Sequence, residues 1–111
     1  MIVSFGTARL KHICLVLSEA EVALGTVNAK ELITMIADIE AHEHSEELLN
    51  FMNDIAHIGP DDTIEIAFGL GCSASFAPVG QKFQRSPEGR VLWSTVERLK
   101  LIEIEGCDGS R

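Results

Sequence analysis

The apolar residues of this 111-residue chain change their repeat near residue 60. Before that point they recur at helical spacing, and after it they alternate. Ile2-Val3-Ser4-Phe5 is a short, partly β-branched opening that predicts a strand. Leu10, Ile13, Cys14 and Leu17 then form an i, i+3, i+4, i+7 stripe, with Arg9, Lys11 and His12 off it. This predicts a helix over about 7–23 that continues or restarts at Ser18-Glu19-Ala20-Glu21 and stops at Gly25. Leu32, Ile36 and Ile39, widened by Ala29, Ile33 and Met35, predict a second helix over about 28–43. Asn28 reads as its N-cap, with Glu31 three residues on in a near capping-box arrangement. Ser45 reads as a fresh N-cap, with Glu46 and Glu47 in the first turn, where the helix dipole favours acids. Leu48, Leu49 and Met52 give that short helix its buried side.

Gly59-Pro60-Asp61-Asp62 is turn chemistry. Thr63 to Phe68 alternates, with Ile64, Ile66 and Phe68 on one face, and Gly69-Leu70-Gly71 supplies a hairpin turn. The return strand runs from Cys72 to about residue 77. Pro78 to Arg90 is a polar loop whose length exceeds that of a mere connector. A last strand spans about Val96 to Glu105. Its alternation slips between Leu101 and Ile102, which predicts a bulge or a strand buried on both faces. The order is strand, helix, helix, short helix, hairpin, strand. It predicts an α+β fold in which two to three N-terminal helices cover one face of a small, mostly antiparallel sheet. One domain over 1–108 and a frayed tail at 109–111 complete the expectation.

Charge narrows the functions open to the chain. Nine Lys and Arg face seventeen Asp and Glu, a formal charge of -8. From Glu31 to Gln81 there is no Lys or Arg and there are ten acids. That excludes a broad nucleic-acid surface, which needs basic groups to displace counterions from phosphates. No apolar run approaches the roughly 18 residues of a membrane span. The opening Met1 to Phe5 is too short and too strand-like for a signal peptide. The expected setting is the cytoplasm, with no membrane partner. Cys14, Cys72 and Cys107 are odd in number and lack metal-finger spacing, so free thiols in or near the core are expected. His42 and His44 would point about 200° apart on a helix and could not share an ion there. No metal and no cofactor are expected.

Several segments in this order resemble the RelE/ParE superfamily of bacterial toxin–antitoxin proteins. The likeness is to the HigB-like branch, labelled plasmid maintenance killer or killer suppression proteins. It rests on Ser4-Phe5 closing the first strand and on Leu10-Lys11-His12-Ile13-Cys14. Further on come Ala29-Lys30-Glu31-Leu32, Ala37-Asp38-Ile39, Trp93-Ser94-Thr95-Val96 and Glu103-Ile104-Glu105. It covers about residues 1 to 108 and implies a RelE-like fold and a cytoplasmic toxin–antitoxin role.

The departures bear on activity. Where active relatives carry Lys in a Pro-Leu-Lys-Gly stretch, this chain has Ile55-Ala56-His57-Ile58-Gly59. Where relatives place Tyr-Arg on the return strand, it has Cys72-Ser73. Where they end Tyr-His, it has Cys107-Asp108, and it contains no tyrosine. Cleaving RNA through its 2′-hydroxyl needs a base, cations on the phosphate and an acid at the leaving oxygen. The expectation is therefore a domain without ribonuclease activity that binds protein. Its partner would be a cognate antitoxin or another small protein, such as a helix-turn-helix protein, or a second copy of itself. Arg98, Lys100, Trp93 and Lys82 are the expected partner-binding residues, although Trp93 also reads as a packing anchor. The alternative is an active ribosome-dependent mRNA interferase with His57, Arg85 and Arg90, and Lys82 beside them, as its catalytic residues. Only that alternative brings in ribosome and mRNA as partners.

Overall fold

The computed structural model describes residues 1–107. The expected tail at 109–111, and Asp108, lie outside the described residues. The fold is α+β, with N-terminal helices packed on one face of a five-stranded, mostly antiparallel sheet.

Strand β1 (Ile2–Phe5) leads into α1 (Ala8–Leu15), α2 (Leu17–Leu24), α3 (Thr26–Ala41) and α4 (Ser45–Phe51). Strands β2 (Ala56–Ile58), β3 (Ile64–Phe68), β4 (Cys72–Pro78) and β5 (Arg98–Gly106) follow. The sheet order is β1-β5-β4-β3-β2, and only β1 against β5 is parallel.

The first helical stretch restarts rather than continues. Val16 is extended, at φ -121° and ψ 105°, and serves as the C-cap of α1 and the N-cap of α2. The break changes the buried stripe. Ile13 and Cys14 stay in the core, but Leu17 swings out to 45% exposure and Ala20 and Leu24 take over the packing. Thr7 caps α1 by accepting from the Leu10 N–H at 3.1 Å.

Two expected caps are corrected. Gly25, not Asn28, precedes α3, and its φ of 88° is a conformation that favours glycine. Asn28 lies inside the helix and is buried. Its Nδ2 donates to Leu24 O at 2.9 Å and its Oδ1 accepts from the Leu70 N–H at 2.7 Å. It therefore ties α3 to the β3–β4 turn, and its side chain satisfies two backbone groups instead of a helix end. At α4 the cap is His44, whose Nδ1 accepts from the Glu47 N–H at 3.3 Å. Ser45 is buried, with its N–H donated to Val96 O at 2.9 Å.

Strand β2 was not expected. It is a three-residue edge paired with β3, and Ile58 is 41% exposed, so no alternation marks it. The slip in β5 is a bulge. Phe76 pairs with Leu101 and Ser75 with Glu103, which leaves Ile102 as the extra residue. The bulge keeps Leu99, Leu101 and Ile104 on the helix-covered side despite the broken alternation.

The core lies between that side of the sheet and α1–α4. Ile64, Ile66, Phe76, Leu99 and Leu101 meet Leu32, Ile39 and Leu48, all fully buried. No helix among the described residues is long and apolar enough to cross a membrane.

The expectation of three free thiols is overturned. Cys72, at the start of β4, is bridged to Cys107, just beyond β5, with their Cα atoms 4.1 Å apart. The β4–β5 register causes this, because Cys72 stands opposite Gly106. Spacing along the chain gave no sign of it, since the two are 35 residues apart. Cys14 alone is free and buried. Burial pushes its thiol from 9.0 up to about 11. The folded state thus holds this proton where the unfolded chain has released it. The associated stability is intact below pH 9.0 and is lost as pH rises through about 11. With Cys72 and Cys107 oxidised, iodoacetamide at pH 8 is expected to leave the folded protein unlabelled and to label one thiol in urea. Rapid labelling without denaturant would contradict the burial of Cys14.

Candidate functional site

The sheet face away from the helices carries the polar side of each strand. β5 contributes Arg98, Lys100, Glu103 and Glu105, β4 contributes Ser73, Ser75 and Ala77, and β3 contributes Glu65 and Ala67. His57 on β2 pairs with Glu65 in register, and its Nε2 lies 3.3 Å from Glu65 Oε2. Ser73 sits between Ala67 and Glu105. The middle of this face is thus small and acidic, and its cations, Arg98 and Lys100, stand at the β1 side.

The 79–97 segment crosses the end of the sheet where β4 runs out and β5 begins. It is ordered by specific contacts. Val79 N–H donates to Arg98 O at 3.1 Å, and Gln84 N–H to Thr95 Oγ1 at 2.8 Å. Arg85 and Val91 form an isolated bridge, and Val91 and Val96 are buried. Asp62, in the β2–β3 turn, holds both arginines of this segment. Arg90 Nη2 is 3.0 Å from Oδ1, and Arg85 Nη1 is 3.5 Å from Oδ2. Trp93 lies on a 3₁₀ turn (Trp93–Thr95) and packs against the core.

The structure therefore divides the residues singled out from sequence into three groups. Arg85 and Arg90 come together on Asp62. His57 meets Glu65. Lys82 and Arg98 come together on a cleft of about 690 Å³ between the β4–β5 segment and the start of β1. Met1, Ile2, Val79 and Phe83 give the cleft its apolar part, and Glu43 and Glu97 stand on it too. Lys100 follows Arg98 on the same side of β5, alongside Ser4. Among the described residues neither Lys82, Arg98 nor Lys100 forms an ion pair. Sequence reasoning missed Asp62, Glu65 and the cleft's Glu43 and Glu97. Asp62 reaches Arg90 across 28 residues, a distance that no local pattern marks.

His42 and His44 are each engaged separately, His42 Nδ1 with Asp38 O at 2.7 Å and His44 as the α4 cap. Among the described residues no three His, Cys, Asp or Glu groups are placed to hold a metal ion. No family model, curated protein or solved structure matches the chain.

Proposed function

We propose that this chain is a RelE/HigB-like domain of the toxin–antitoxin type that has no ribonuclease activity and acts by binding protein. The observation that carries the reading is the fate of the positions where the resembled family places its RNA-cleaving groups. His57, in place of the lysine, is held by the Glu65 carboxylate. Cys72 and Cys107, in place of two tyrosines, are joined to each other. Ser73, in place of the arginine, lies beside Glu105. A phosphate brought to that face would meet carboxylates where the transition state needs cations. Arg85 and Arg90 do not repair this, because both are engaged by Asp62, whose one carboxylate offsets one of their two charges and holds them together away from His57.

The cations left unpaired on and beside the cleft, Lys82, Arg98 and Lys100, support a binding role at the β1 end of the sheet. A cognate antitoxin or another small protein is the proposed partner, contacted there, with Trp93 as a packed support for the 79–97 segment.

The test is a ribosome-programmed mRNA cleavage assay with purified protein, alone and with its genomic neighbour. No cleavage is expected, and His57→Ala is expected to change nothing. Cleavage at ordinary enzyme concentration that disappears in His57→Ala would establish the interferase instead.

A further inference from the structure

The cleft joins two features that point to one ligand chemistry. The first is a pair of cations, Lys82 and Arg98, with no carboxylate in ion-pairing range among the described residues. The second is backbone. Gly80, Gln81, Lys82 and Phe83 all stand on the cleft, and none of their N–H groups is hydrogen-bonded within the described chain. Gly80 has a φ of 102°, which L side chains rarely adopt, so glycine there permits the turn. Free amides at a bend offer donors to an anion, and the bend here covers Gly80 and Gln81. Nothing among the described residues uses these donors.

We propose that this cleft captures the free carboxyl terminus of a partner polypeptide. The carboxylate meets Lys82, Arg98 and the amides of the Gly80–Gln81 bend, and the last side chain lies on Ile2, Val79 and Phe83. Glu43 and Glu97 decide between anions. They stand on the same cleft and offset the two cations, so a polyphosphate chain or an acidic run is repelled once its first charge is seated. A single carboxylate on an otherwise apolar end is not. Capture of a terminal carboxylate by backbone amides is a known mode of peptide recognition. A cleft of about 690 Å³ also has the size of small-ligand pockets, which suits a few terminal residues.

The inference rests on the protein-binding reading, and its test separates the two. Peptide arrays varied at the last residue are made in two forms, with a free carboxyl terminus and with a terminal amide. They are probed with the intact protein. Binding is expected only to the free-carboxyl form, strongest for apolar last residues. Lys82→Ala combined with Arg98→Ala is expected to weaken it about tenfold or more while leaving the thermal midpoint unchanged. Equal binding to the amides overturns the proposal, as does binding of amidated peptides through internal glutamates, or no binding at all. A genomic-neighbour protein that still binds the double variant overturns it too, while leaving the protein-binding reading intact.

Discussion

Reduction of the Cys72–Cys107 bridge is expected to lower unfolding stability by about 3–4 kcal/mol, because the bridge restrains the unfolded chain more than it strains the folded one. The closed segment spans 35 residues. In the chain-entropy account, loops of about 15 and about 100 residues contribute about 3 and about 4.7 kcal/mol, which brackets this case. The folded side of the balance changes little. The β4–β5 ladder pairs every residue from Cys72 to Pro78 on either side of the bulge, and Cys107 N–H donates to Gly71 O at 3.1 Å independently of the sulfurs. Domains of this size are stable by about 5–15 kcal/mol, so the loss is a large fraction of the whole. Urea unfolding with and without reductant measures it. Cys72→Ser with Cys107→Ser gives the same quantity without thiol chemistry. Coincident midpoints in oxidised and reduced protein would refute the restraint.

The bridge also marks a limit of what the chain's pattern reveals. Ile64, Ile66 and Phe68 alternate because β3 has one face on the helices, and that face is legible residue by residue. The slip at Leu101-Ile102 is legible for the same reason, since a bulge is what keeps Leu99, Leu101 and Ile104 on one side. The α3 stripe of Leu32, Ile36 and Ile39 reads equally well. β2 does not, because a three-residue edge has no face to alternate against.

Tertiary pairing hides the rest. Asn28 looks like an N-cap because Asn commonly is one, but its partner Leu70 is 42 residues away. Cys72 and Cys107 look like free thiols until β4 and β5 are in register. At the candidate site Lys82 and Arg98 were visible as cations, yet the difference between them and Arg85 or Arg90 lies in Asp62. That carboxylate sits in a β2–β3 turn that sequence reads only as a turn.

Phe76→Ala is expected to be among the most damaging single substitutions in the described chain, lowering stability by about 3–5 kcal/mol. Phe76 is the largest of the fully buried side chains. It stands at the centre of the sheet, opposite Ile64 on β3 and Leu101 on β5, next to the bulge. Truncation removes its transfer free energy and leaves a cavity that rigid neighbours on two strands cannot close. Phe76→Leu keeps most of the volume and is expected to cost much less. Phe83→Ala is a useful contrast, because Phe83 is only partly buried on the cleft side of the 79–97 segment. It is expected to unfold close to wild type in urea. The slope of free energy on urea should be unchanged in all three, as each alters stability and not the surface exposed. A loss under about 1 kcal/mol for Phe76→Ala would mean that the β3–β4–β5 core is not packed as described. The strand matters for the cleft as well. β4 ends at Pro78 and passes directly into Val79, Gly80 and Lys82, so a loosened Phe76 releases the segment that presents the free amides. Carboxyl-terminal peptide binding is therefore expected to weaken in Phe76→Ala even at temperatures where the protein remains folded, and to be retained in Phe76→Leu.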